Sequence, residues 1–385
     1  MRPDVKKLLG SAANAVTGLL PRKDIIIFES NPDYSDNTYW FFKYLAEHTD
    51  VDQKYELVWI IKDIRNRKTE LFGKKINYIL KDADTPLEMA RYIYYLTRAK
   101  FIIDCNSYVY KRHRDQVRVF LGHGMPFKIV KTYDYKKGEV DVNTITTYLF
   151  NDHFYSIHDT DDNMVNFGYC RGDVLAAHRG KRETDGSRCI VWMPTYRQHA
   201  KDGDLRIDSR FPLGFPVFKT REDLARVNEC LRRNNVILYL RPHPVQDTSV
   251  LHLADMSNIV LADNAYLDSR GLTLYDFLTE TDALITDYSS VYYDYLLLDR
   301  PIALAVEDLD EFKAKWPMYF DDFKANYICA YLNTTDELEA FIRDVADGND
   351  PYAEARNAQM HRFHDYTDGR TCERLYKYLV RRFAL

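Results

Sequence analysis

Short apolar runs alternate with longer amphipathic stretches along most of this chain. Ile25–Phe28 and Leu57–Ile61 have the length and β-branched character of buried strands, and the stretches that follow them space apolar residues as a helix does. Regular alternation of strand and helix predicts parallel sheets covered by helices on both faces. The predicted strands are 25–28, 57–61, 101–104, 117–120, 189–192, 236–240, 259–261, 283–286 and 302–306, and the predicted helices are 40–46, 86–98, 222–233, one that begins at 289, and 368–383.

The chain is long enough for two such units. A single hydrophobic core rarely serves 385 residues, and polar stretches interrupt the pattern twice. We therefore predict an α/β protein of two Rossmann-like, doubly wound domains that face each other across a cleft. Its predicted parts are an amphipathic segment (1–23), a first domain (24–178) with a helical or irregular insertion (about 127–167), a second domain (186–365) and a C-terminal helix that packs back on the body (366–385).

Composition narrows the class of protein. With 53 basic and 58 acidic residues and a net charge of −5, the chain lacks the basic face of a general nucleic-acid binder. Its six cysteines are scattered without a CxxC pair, which indicates reduced thiols rather than a disulfide frame or a zinc site.

Hydropathy bears on location. No apolar run approaches the ~20 residues of a membrane span, and no signal peptide is recognisable, so we expect a cytoplasmic protein. Residues 2–20 carry an apolar stripe with basic residues near its ends. We expect this stripe either to pack on the first domain or to lie at the inner face of the cell membrane as an interfacial helix.

The most informative segment joins a predicted strand to a predicted helix through Asp287-Tyr288-Ser289-Ser290. Both serines stand at the start of the helix, where unpaired backbone N–H groups and the helix dipole favour an anion by about 0.3–1 kcal/mol. We interpret Ser289 and Ser290 as phosphate ligands. A serine at this position is also a common helix cap, and both interpretations stay open at this point.

Three further motifs place histidine or arginine beside glycine or proline at strand ends. His123 has little steric cover between two glycines and is our candidate general base, although most histidines only satisfy local hydrogen bonds. His243 can donate a hydrogen bond to a phosphate oxygen or protonate a leaving group. Arg197, Arg241 and Lys128 can neutralise phosphate charge, the arginines through a bidentate fork. The motifs are Gly122-His123-Gly124-Met125-Pro126, Pro194-Thr195-Tyr196-Arg197 and Arg241-Pro242-His243-Pro244.

Carboxylates offer weaker candidates. Asp287 could orient a histidine or bind ribose hydroxyls, but an Asp before a helix is most often a cap. Asp159-Thr160-Asp161-Asp162 matches the loose DxD pattern of metal-dependent transferases, yet a solvated acidic loop is the more typical structure for it. We assign no metal ligands and no tightly bound cofactor; a divalent metal is compatible with the sequence but not indicated by it.

Taken in order, the motifs resemble those of the CDP-glycerol:poly(glycerophosphate) glycerophosphotransferase family, the teichoic-acid primases and polymerases of Gram-positive bacteria. The resemblance runs from about Ile25 to Ile302. Besides the segments already quoted, it is carried by Phe28-Glu29-Ser30, Tyr34-Ser35-Asp36-Asn37 and Gly168-Tyr169-Cys170-Arg171-Gly172-Asp173.

Two departures from the family pattern bear on the substrate. The family usually has Thr-Pro-Leu-Lys-Lys after the histidine, where this chain has Met125-Pro126-Phe127-Lys128-Ile129. It usually has Gly-Tyr-Pro-Arg-Asn-Asp, where this chain has Cys170 and Gly172. We expect both changes to lie near the acceptor or the donor polyol, so that they affect substrate identity more than the type of reaction.

The resemblance implies a glycosyltransferase-B-like fold and a reaction. Glycerol phosphate or ribitol phosphate would pass from its CDP derivative to a hydroxyl of a lipid-linked or polymeric acceptor of teichoic-acid or capsule type, with release of CMP. The membrane surface is therefore an expected partner. On the matching positions the catalytic residues are His123, as the general base, and His243, which would also hold the pyrophosphate. The donor site comprises Thr195, Arg197, Arg241, Asp287, Ser289 and Ser290, and the acceptor side comprises Asp36, Gly124 and Lys128.

Two other functions are alternatives. A sugar transferase on the same scaffold would need a carboxylate for sugar hydroxyls, for which Glu280 and Asp282 are the nearby candidates. A catalytically silent scaffold of cell-wall synthesis would keep the fold but would need neither His123 nor the serine pair.

Overall fold

Parallel strands of buried aliphatic and aromatic residues form the frame of the protein. The computed structural model describes residues 21–106, 109–129, 139–150, 163–180, 182, 186–195, 211–243, 246 and 248–385. These residues fall into two units. The first unit comprises the described residues of Met1–His123, Lys131–Asp173 and Arg370–Leu385, and the second comprises those of Gly124–Val130 and Val174–Gly369.

Every strand that the sequence predicts is present, each within two residues of its predicted bounds. The strands are β1 (Lys23–Glu29), β2 (Glu56–Ile61), β3 (Glu70–Leu71), β4 (Lys74–Lys75), β5 (Asn77–Leu80), β6 (Ala99–Asp104), β7 (Val117–Phe120), β8 (Val142–Ile145), β9 (Met164–Asn166), β10 (Arg188–Trp192), β11 (Val236–Leu240), β12 (Ile259–Leu261), β13 (Ala283–Thr286), β14 (Ile302–Leu304) and β15 (Ala330–Tyr331).

The helices connect these strands, and several begin with a threonine that caps the first turn. Thr85, Thr220, Thr273 and Thr334 each form a capping box with the acidic residue three positions later, an arrangement worth about 1 kcal/mol per helix. The helices are α1 (Asp36–His48), α2 (Val51–Lys54), α3 (Pro86–Arg98), α4 (Gly172–Ala177), α5 (Arg221–Arg233), α6 (Asn264–Ser269), α7 (Leu274–Thr279), α8 (Val291–Leu296), α9 (Leu309–Lys315), α10 (Phe323–Asn326), α11 (Thr335–Asp347), α12 (Ala353–Phe363) and α13 (Thr371–Phe383).

The sheet of the first unit has seven parallel strands in the order β5-β2-β1-β6-β7-β8-β9. Because β1 pairs with both β2 and β6, the direction of winding reverses between β1 and β6. One face of this sheet buries Ile25, Val58 and Leu96. The other face buries Phe28 and Trp59, whose rings stack at 5.6 Å. Ligands of doubly wound sheets bind at such a reversal, beyond the carboxyl ends of the strands.

The sheet of the second unit has six parallel strands in the order β12-β11-β10-β13-β14-β15, and its winding reverses between β10 and β13. Its core gathers Trp192, Phe215 and Leu238 with aliphatic residues of α5 and α11. Two doubly wound parallel units confirm the predicted fold class.

The interpretation of residues 127–167 as a helical or irregular insertion was wrong for the part that the structure describes. β8 and β9 lie in this stretch and extend the first sheet in parallel. The sequence does not predict β8 because two of its buried residues are polar. Asn143 and Thr144 are each only 1% exposed. Residues 130–138 and 151–162 of the stretch lie outside the described residues.

Buried charge supports the first sheet beneath its carboxyl edge. The guanidinium of Arg118 on β7 donates to both carboxylate oxygens of Asp104 at the end of β6, at 3.0 and 2.8 Å. Both side chains are fully buried. Burial raises the pKa of Asp104, and the neighbouring guanidinium offsets only part of that effect.

The C-terminal helix α13 belongs to the first unit, where it packs on α1. The carboxylate of Asp173 accepts hydrogen bonds from the backbone N–H groups of Thr371 and Cys372, at 2.8 and 2.9 Å, and so pairs two of the free N–H groups at the start of α13.

None of the six cysteines forms a disulfide. Within the described residues, no helix is both long and apolar enough to cross a membrane.

Candidate active site

The first cluster of predicted site residues lies at the winding reversal of the first sheet. Asp36 begins α1 after the loop that leaves β1, and His123 follows β7. Gly122, before the histidine, has φ +70°, and a side-chain carbon there would come within 2.4 Å of the Tyr169 ring. The sequence needs glycine at this position to let the chain turn and present His123 at the surface.

Asp36 joins His123 to Arg171. Its Oδ2 lies 3.1 Å from Nδ1 of His123, and its Oδ1 accepts a 2.5 Å hydrogen bond from Nη1 of Arg171. The His123 side chain is 67% exposed, whereas that of Arg171 is 3% exposed. Burial alone would raise the pKa of Asp36, but the Arg171 charge and the hydrogen bonds from His123 and Arg171 outweigh it and hold that pKa well below its usual range. Asp36 is therefore an ionised acceptor for the histidine ring.

Two asparagines fix the loops around this carboxylate. Asn37 is fully buried and donates to the carbonyls of Leu121 and Gly122, at 3.1 and 3.0 Å. The side-chain oxygen of Asn37 accepts a hydrogen bond from the backbone N–H of Arg171 at 3.0 Å. Asn106, after β6, exchanges two hydrogen bonds with the backbone of Asn31. Asn106 carries no signal in the sequence, and Asn37 and Arg171 stand out there only as parts of motifs.

This arrangement determines which histidine nitrogen can act as a base. With Asp36 ionised, Nδ1 of His123 carries the proton that Asp36 accepts, and Nε2 is left to take a proton from a ligand. The exposed His123 ring and the half-buried Asp36 carboxylate correspond to the base and the orienting acid of a hydrolase triad.

The second cluster lies at the winding reversal of the second sheet. Asp287, after β13, is fully buried and accepts the backbone N–H of Thr195, after β10, at 3.0 and 2.8 Å. It also accepts the Thr195 hydroxyl at 2.6 Å and the Tyr288 N–H at 2.6 Å. Asp287 thus ties the ends of two neighbouring strands together. Its predicted contact with the donor stays a prediction.

Ser289 and Ser290 occupy the place that the sequence predicts, directly before α8. Both are half-buried. Ser290 is the N-cap residue, but its backbone is helical and its side chain makes no capping hydrogen bond. The capping interpretation therefore does not describe Ser290, and its hydroxyl is not engaged by the turn that follows it.

Arg241 and His243 follow β11. The Arg241 guanidinium donates to the Ala262 carbonyl at 2.7 Å and to the Asn264 side chain at 2.8 Å. Burial lowers the pKa of Arg241. His243 is exposed, and its carbonyl accepts the backbone N–H of Gln246 at 2.8 Å. Arg241 is thus a half-buried charge that braces the loop after β12, while His243 stands at the surface.

Gly124 and Lys128, predicted for the acceptor side, belong to the second unit. The segment pairs with residues 317–319: Ile129 donates to Pro317 and Tyr319 donates to Phe127, both at 2.8 Å. The Lys128 ammonium lies 4.3 Å from the Trp316 ring centroid, a cation–π contact. Phe127 stacks on Tyr327 within a buried aromatic cluster. The Phe127 side chain, which belongs to the first departure from the family pattern, therefore packs in the core of the second unit.

The other departure also serves packing. Cys170 is buried, and its carbonyl lies 3.8 Å from the Cys372 sulfur of α13. Gly168 has φ +95°, and a side-chain carbon there would lie 2.8 Å from the Thr371 hydroxyl. The Cys170 side chain is enclosed by the first unit's own core, and the expectation that this departure lies near a polyol stays a prediction.

Several predicted residues lie outside the described part of the chain. They are Arg197, the Asp159–Asp162 cluster and the apolar stripe of residues 2–20. Over the residues that the structure does describe, no three His, Cys, Asp or Glu side chains are grouped so that they could hold a metal ion.

The carboxylates considered for a sugar transferase lie at the wrong end of the second sheet. Asp282 precedes β13 and pairs with Arg182 at 2.7 Å and Arg188 at 3.1 Å. Glu280 pairs with Arg270 at 2.9 Å. Asp287 follows the same strand, and four residues of strand span about 13 Å. Neither Glu280 nor Asp282 can reach a ligand at the carboxyl edge.

Solved structures place the fold in a class. The protein is similar to a variant of the wall teichoic acid polymerase TagF soaked with CDPG, with a TM-score of 0.74 and 18% identity over 98% of this chain and 96% of that one. The class is that of glycosyltransferase-B-like proteins with two Rossmann-like units.

Sequence comparison then gives the family. The family model described as CDP-Glycerol:Poly(glycerophosphate) glycerophosphotransferase matches residues 12–381, and the chain belongs to this family. It is 24% identical to a teichoic acid glycerol-phosphate transferase of Staphylococcus aureus, over 96% of this chain and 97% of that protein. It is 26% identical to a teichoic acid poly(glycerol phosphate) polymerase of Bacillus spizizenii, over 84% of each chain. The family predicted from the motifs is confirmed, and the protein is an enzyme of the glycerophosphotransferase type.

Proposed function

We propose that the protein transfers a polyol phosphate from its CDP derivative to a hydroxyl of a teichoic-acid or capsule-type acceptor and releases CMP. Family membership supports the reaction class. The structural observation that carries the chemistry is the hydrogen bond between His123 and Asp36, which leaves Nε2 of an exposed histidine as a base. Glycerol phosphate is the first group to test, since the relative matched over 97% of its length is named a glycerol-phosphate transferase.

The reaction requires one proton transfer and one exchange of bonds at phosphorus. Nε2 of His123 takes the proton of the acceptor hydroxyl. At the same time the hydroxyl oxygen forms a bond to the β-phosphorus of the donor. The anhydride P–O bond breaks, and its electron pair leaves with CMP. Such transfers are catalysed mainly by positioning and by neutralising charge.

Donor binding is assigned to the second unit. Ser289 and Ser290 offer hydroxyls at the start of α8, and His243 is exposed after β11. Arg197 and Arg241 would supply positive charge and Thr195 a further hydroxyl. Asp287 supports this set by holding Thr195.

Acceptor binding is assigned to Asp36, Gly124 and Lys128, as the motifs imply. The lipid-linked acceptor that the motifs imply would bring the protein to a membrane surface, with the apolar stripe of residues 2–20 as the contact and the inner face of the cell membrane as the location. Sedimentation with vesicles that contain anionic lipid, compared for the full chain and a variant with the stripe's leucines and valines changed to serine, tests that part separately.

Release of CMP by the purified protein tests the transfer. CDP-glycerol and CDP-ribitol are each supplied with and without a lipid-linked polyol-phosphate acceptor. We expect CMP only when acceptor is present, and faster from CDP-glycerol. Thermal shifts with CMP, CDP, UDP and GDP provide the control for donor binding, because a ligand that binds the folded state raises the unfolding temperature. No CMP from either donor, despite stabilisation by CDP, would contradict polyol-phosphate transfer and favour the scaffold alternative.

A further inference from the structure

The carboxylate of Asp36 contacts side chains of opposite exposure. Its Oδ1 accepts from the buried guanidinium of Arg171 at 2.5 Å and from the backbone N–H of Asn37 at 2.8 Å. Its Oδ2 lies 3.1 Å from Nδ1 of the exposed His123 ring and 3.5 Å from the side-chain nitrogen of Asn106. Arg171 and His123 are remote in sequence, 135 and 87 positions from Asp36. Neither motif on its own shows that Arg171 has any connection with the base.

The backbone around Asp36 is fixed as firmly as its side chain. Asp36 has φ +58°, in the left-handed region. The next residue, Asn37, accepts the Arg171 backbone N–H and donates to the two carbonyls directly before His123. One asparagine therefore holds the loop that carries Arg171 and the loop that carries His123 in a common frame.

Arg171 is poorly placed to bind a substrate itself. Its side chain is only 3% exposed, and its guanidinium carbon lies 5.3 Å from the Tyr169 ring centroid. A group that touches an acceptor must be reachable from solvent, as His123 is. The charge of Arg171 instead acts on Asp36.

We propose that Arg171 and Asp36 are positioning residues for the base: Arg171 holds the Asp36 carboxylate ionised and aligned, and Asp36 keeps the proton of His123 on Nδ1 so that Nε2 faces the acceptor hydroxyl. This role rests on the proposed function, and it assigns Asp36 to the base rather than to direct acceptor binding. An orienting carboxylate fixes both the tautomer and the direction of the ring.

Asp36→Asn is the central variant. Asparagine tolerates positive φ, so the backbone of Asp36 can persist while the charge is removed. Nitrogen NMR of ¹⁵N-histidine-labelled protein at alkaline pH, assigned by comparison with His123→Ala, reports which ring nitrogen carries the proton. We expect the Nδ1–H tautomer in the unaltered protein and loss of that preference in the variant. We expect kcat for CMP release to fall about 10²- to 10⁴-fold, with KM for the CDP-polyol changed less than about threefold.

Arg171→Met and Arg171→Lys form a graded pair. Methionine removes the charge, and we expect kcat to fall at least about tenfold with the tautomer preference weakened. Lysine restores charge without the planar fork, so partial recovery of both readouts is expected. Arg182→Met is the matched control, because it breaks another Arg–Asp pair, at 2.7 Å with side chains 23% and 7% exposed, at the amino end of the second sheet.

The outcomes separate this role from the proposed reaction. If Asp36→Asn raises KM for the acceptor and leaves kcat and the tautomer unchanged, Asp36 binds acceptor and the positioning role is overturned. If the Arg171 variants do not fold, the tautomer of His123 and the kcat of Asp36→Asn still test the positioning role. If the unaltered protein releases no CMP, the proposed function fails, while the tautomer measurement still tests the hold of Asp36 on His123.

Discussion

The two winding reversals of this molecule each hold a carboxylate, but in different ways. In the first unit Asp36 is 11% exposed; it bonds to the backbone N–H of Asn37 and to the side chains of Arg171 and the exposed His123. In the second unit Asp287 is fully buried and bonds to the backbone and hydroxyl of Thr195. The first carboxylate holds an exposed histidine ring, our proposed base. The second ties the ends of two neighbouring strands together, and the serines that follow it, before α8, are our proposed ligands of the donor.

This difference is the one that the proposed phosphoryl transfer would require of its two sites. A base must have one defined protonation state and direction, and a nearby fixed charge supplies both. A diphosphate is already anionic, so its site must offer donors and must not offer a free carboxylate. The same sheet topology serves both because strand ends at a reversal diverge and leave room for a ligand.

Removal of the base should have the largest effect. We expect His123→Ala to lower kcat for CMP release by about 10²- to 10⁴-fold, because general base catalysis typically contributes that much. Thermal stability should change little, since the side chain is 67% exposed. His361→Ala, on the exposed face of α12, is the matched control. Full activity of His123→Ala would remove the first reversal from the chemistry.

The buried charge beneath the first site should dominate its stability. Asp104→Ala leaves the Arg118 guanidinium buried without its carboxylate, and we expect a loss of about 3–5 kcal/mol in the free energy of unfolding, measured in urea. Asp255→Ala breaks an exposed pair with Arg221 and should cost about 0–1 kcal/mol. Equal effects of the two substitutions would mean that the Asp104–Arg118 pair contributes no more than a surface pair.

Loss of the serine hydroxyls should weaken donor binding without stopping chemistry. A hydrogen bond to a charged group is worth about 1.5–3 kcal/mol, so the double change Ser289→Ala and Ser290→Ala should raise KM for the CDP-polyol roughly 10- to 100-fold. Calorimetric titration with CDP gives the same comparison without turnover. Ser269→Ala, at an exposed position of α6, controls for loss of a hydroxyl. A fall in kcat at unchanged KM would assign the pair a role in the transition state instead.

Asp287→Asn should act on the scaffold of the second site. The amide offers one acceptor oxygen to three donors of Thr195 and Tyr288, and an unsatisfied buried donor costs about 1–3 kcal/mol. We expect a lower unfolding temperature and a modest rise in KM for the donor. Asp268→Asn on exposed α6 is the control. A large loss of CDP affinity with normal stability would show that Asp287 contacts the donor after all.

The predicted strands could be found because their residues are apolar and β-branched. The sequence did not predict β3, β4, β5, β8, β9 or β15. β8 was missed because its buried positions include Asn143 and Thr144, and no local pattern distinguishes a buried polar strand from a loop. His123 and the serine pair could be proposed from sequence because glycine neighbours and a strand-to-helix turn are local signals.

The partners of those residues could not be found in the same way. Asp36 meets Arg171 across 135 positions, and Asp287 meets Thr195 across 92. Only the folded sheet brings such groups together. Glu280 and Asp282 show the converse, because closeness in sequence to Asp287 suggested a shared site, whereas a strand separates the two ends.

The position of α13 in the chain has a consequence for synthesis. The first unit takes its last helix from residues after Gly369, so a ribosome must translate the whole of the second unit before the start of α13 can reach the Asp173 carboxylate. The second unit can thus complete its fold while the first still waits for a segment. A chain truncated after Gly369 should then hold a protease-resistant second unit and an unfinished first one, so the order of maturation would run opposite to the order in which the two units begin.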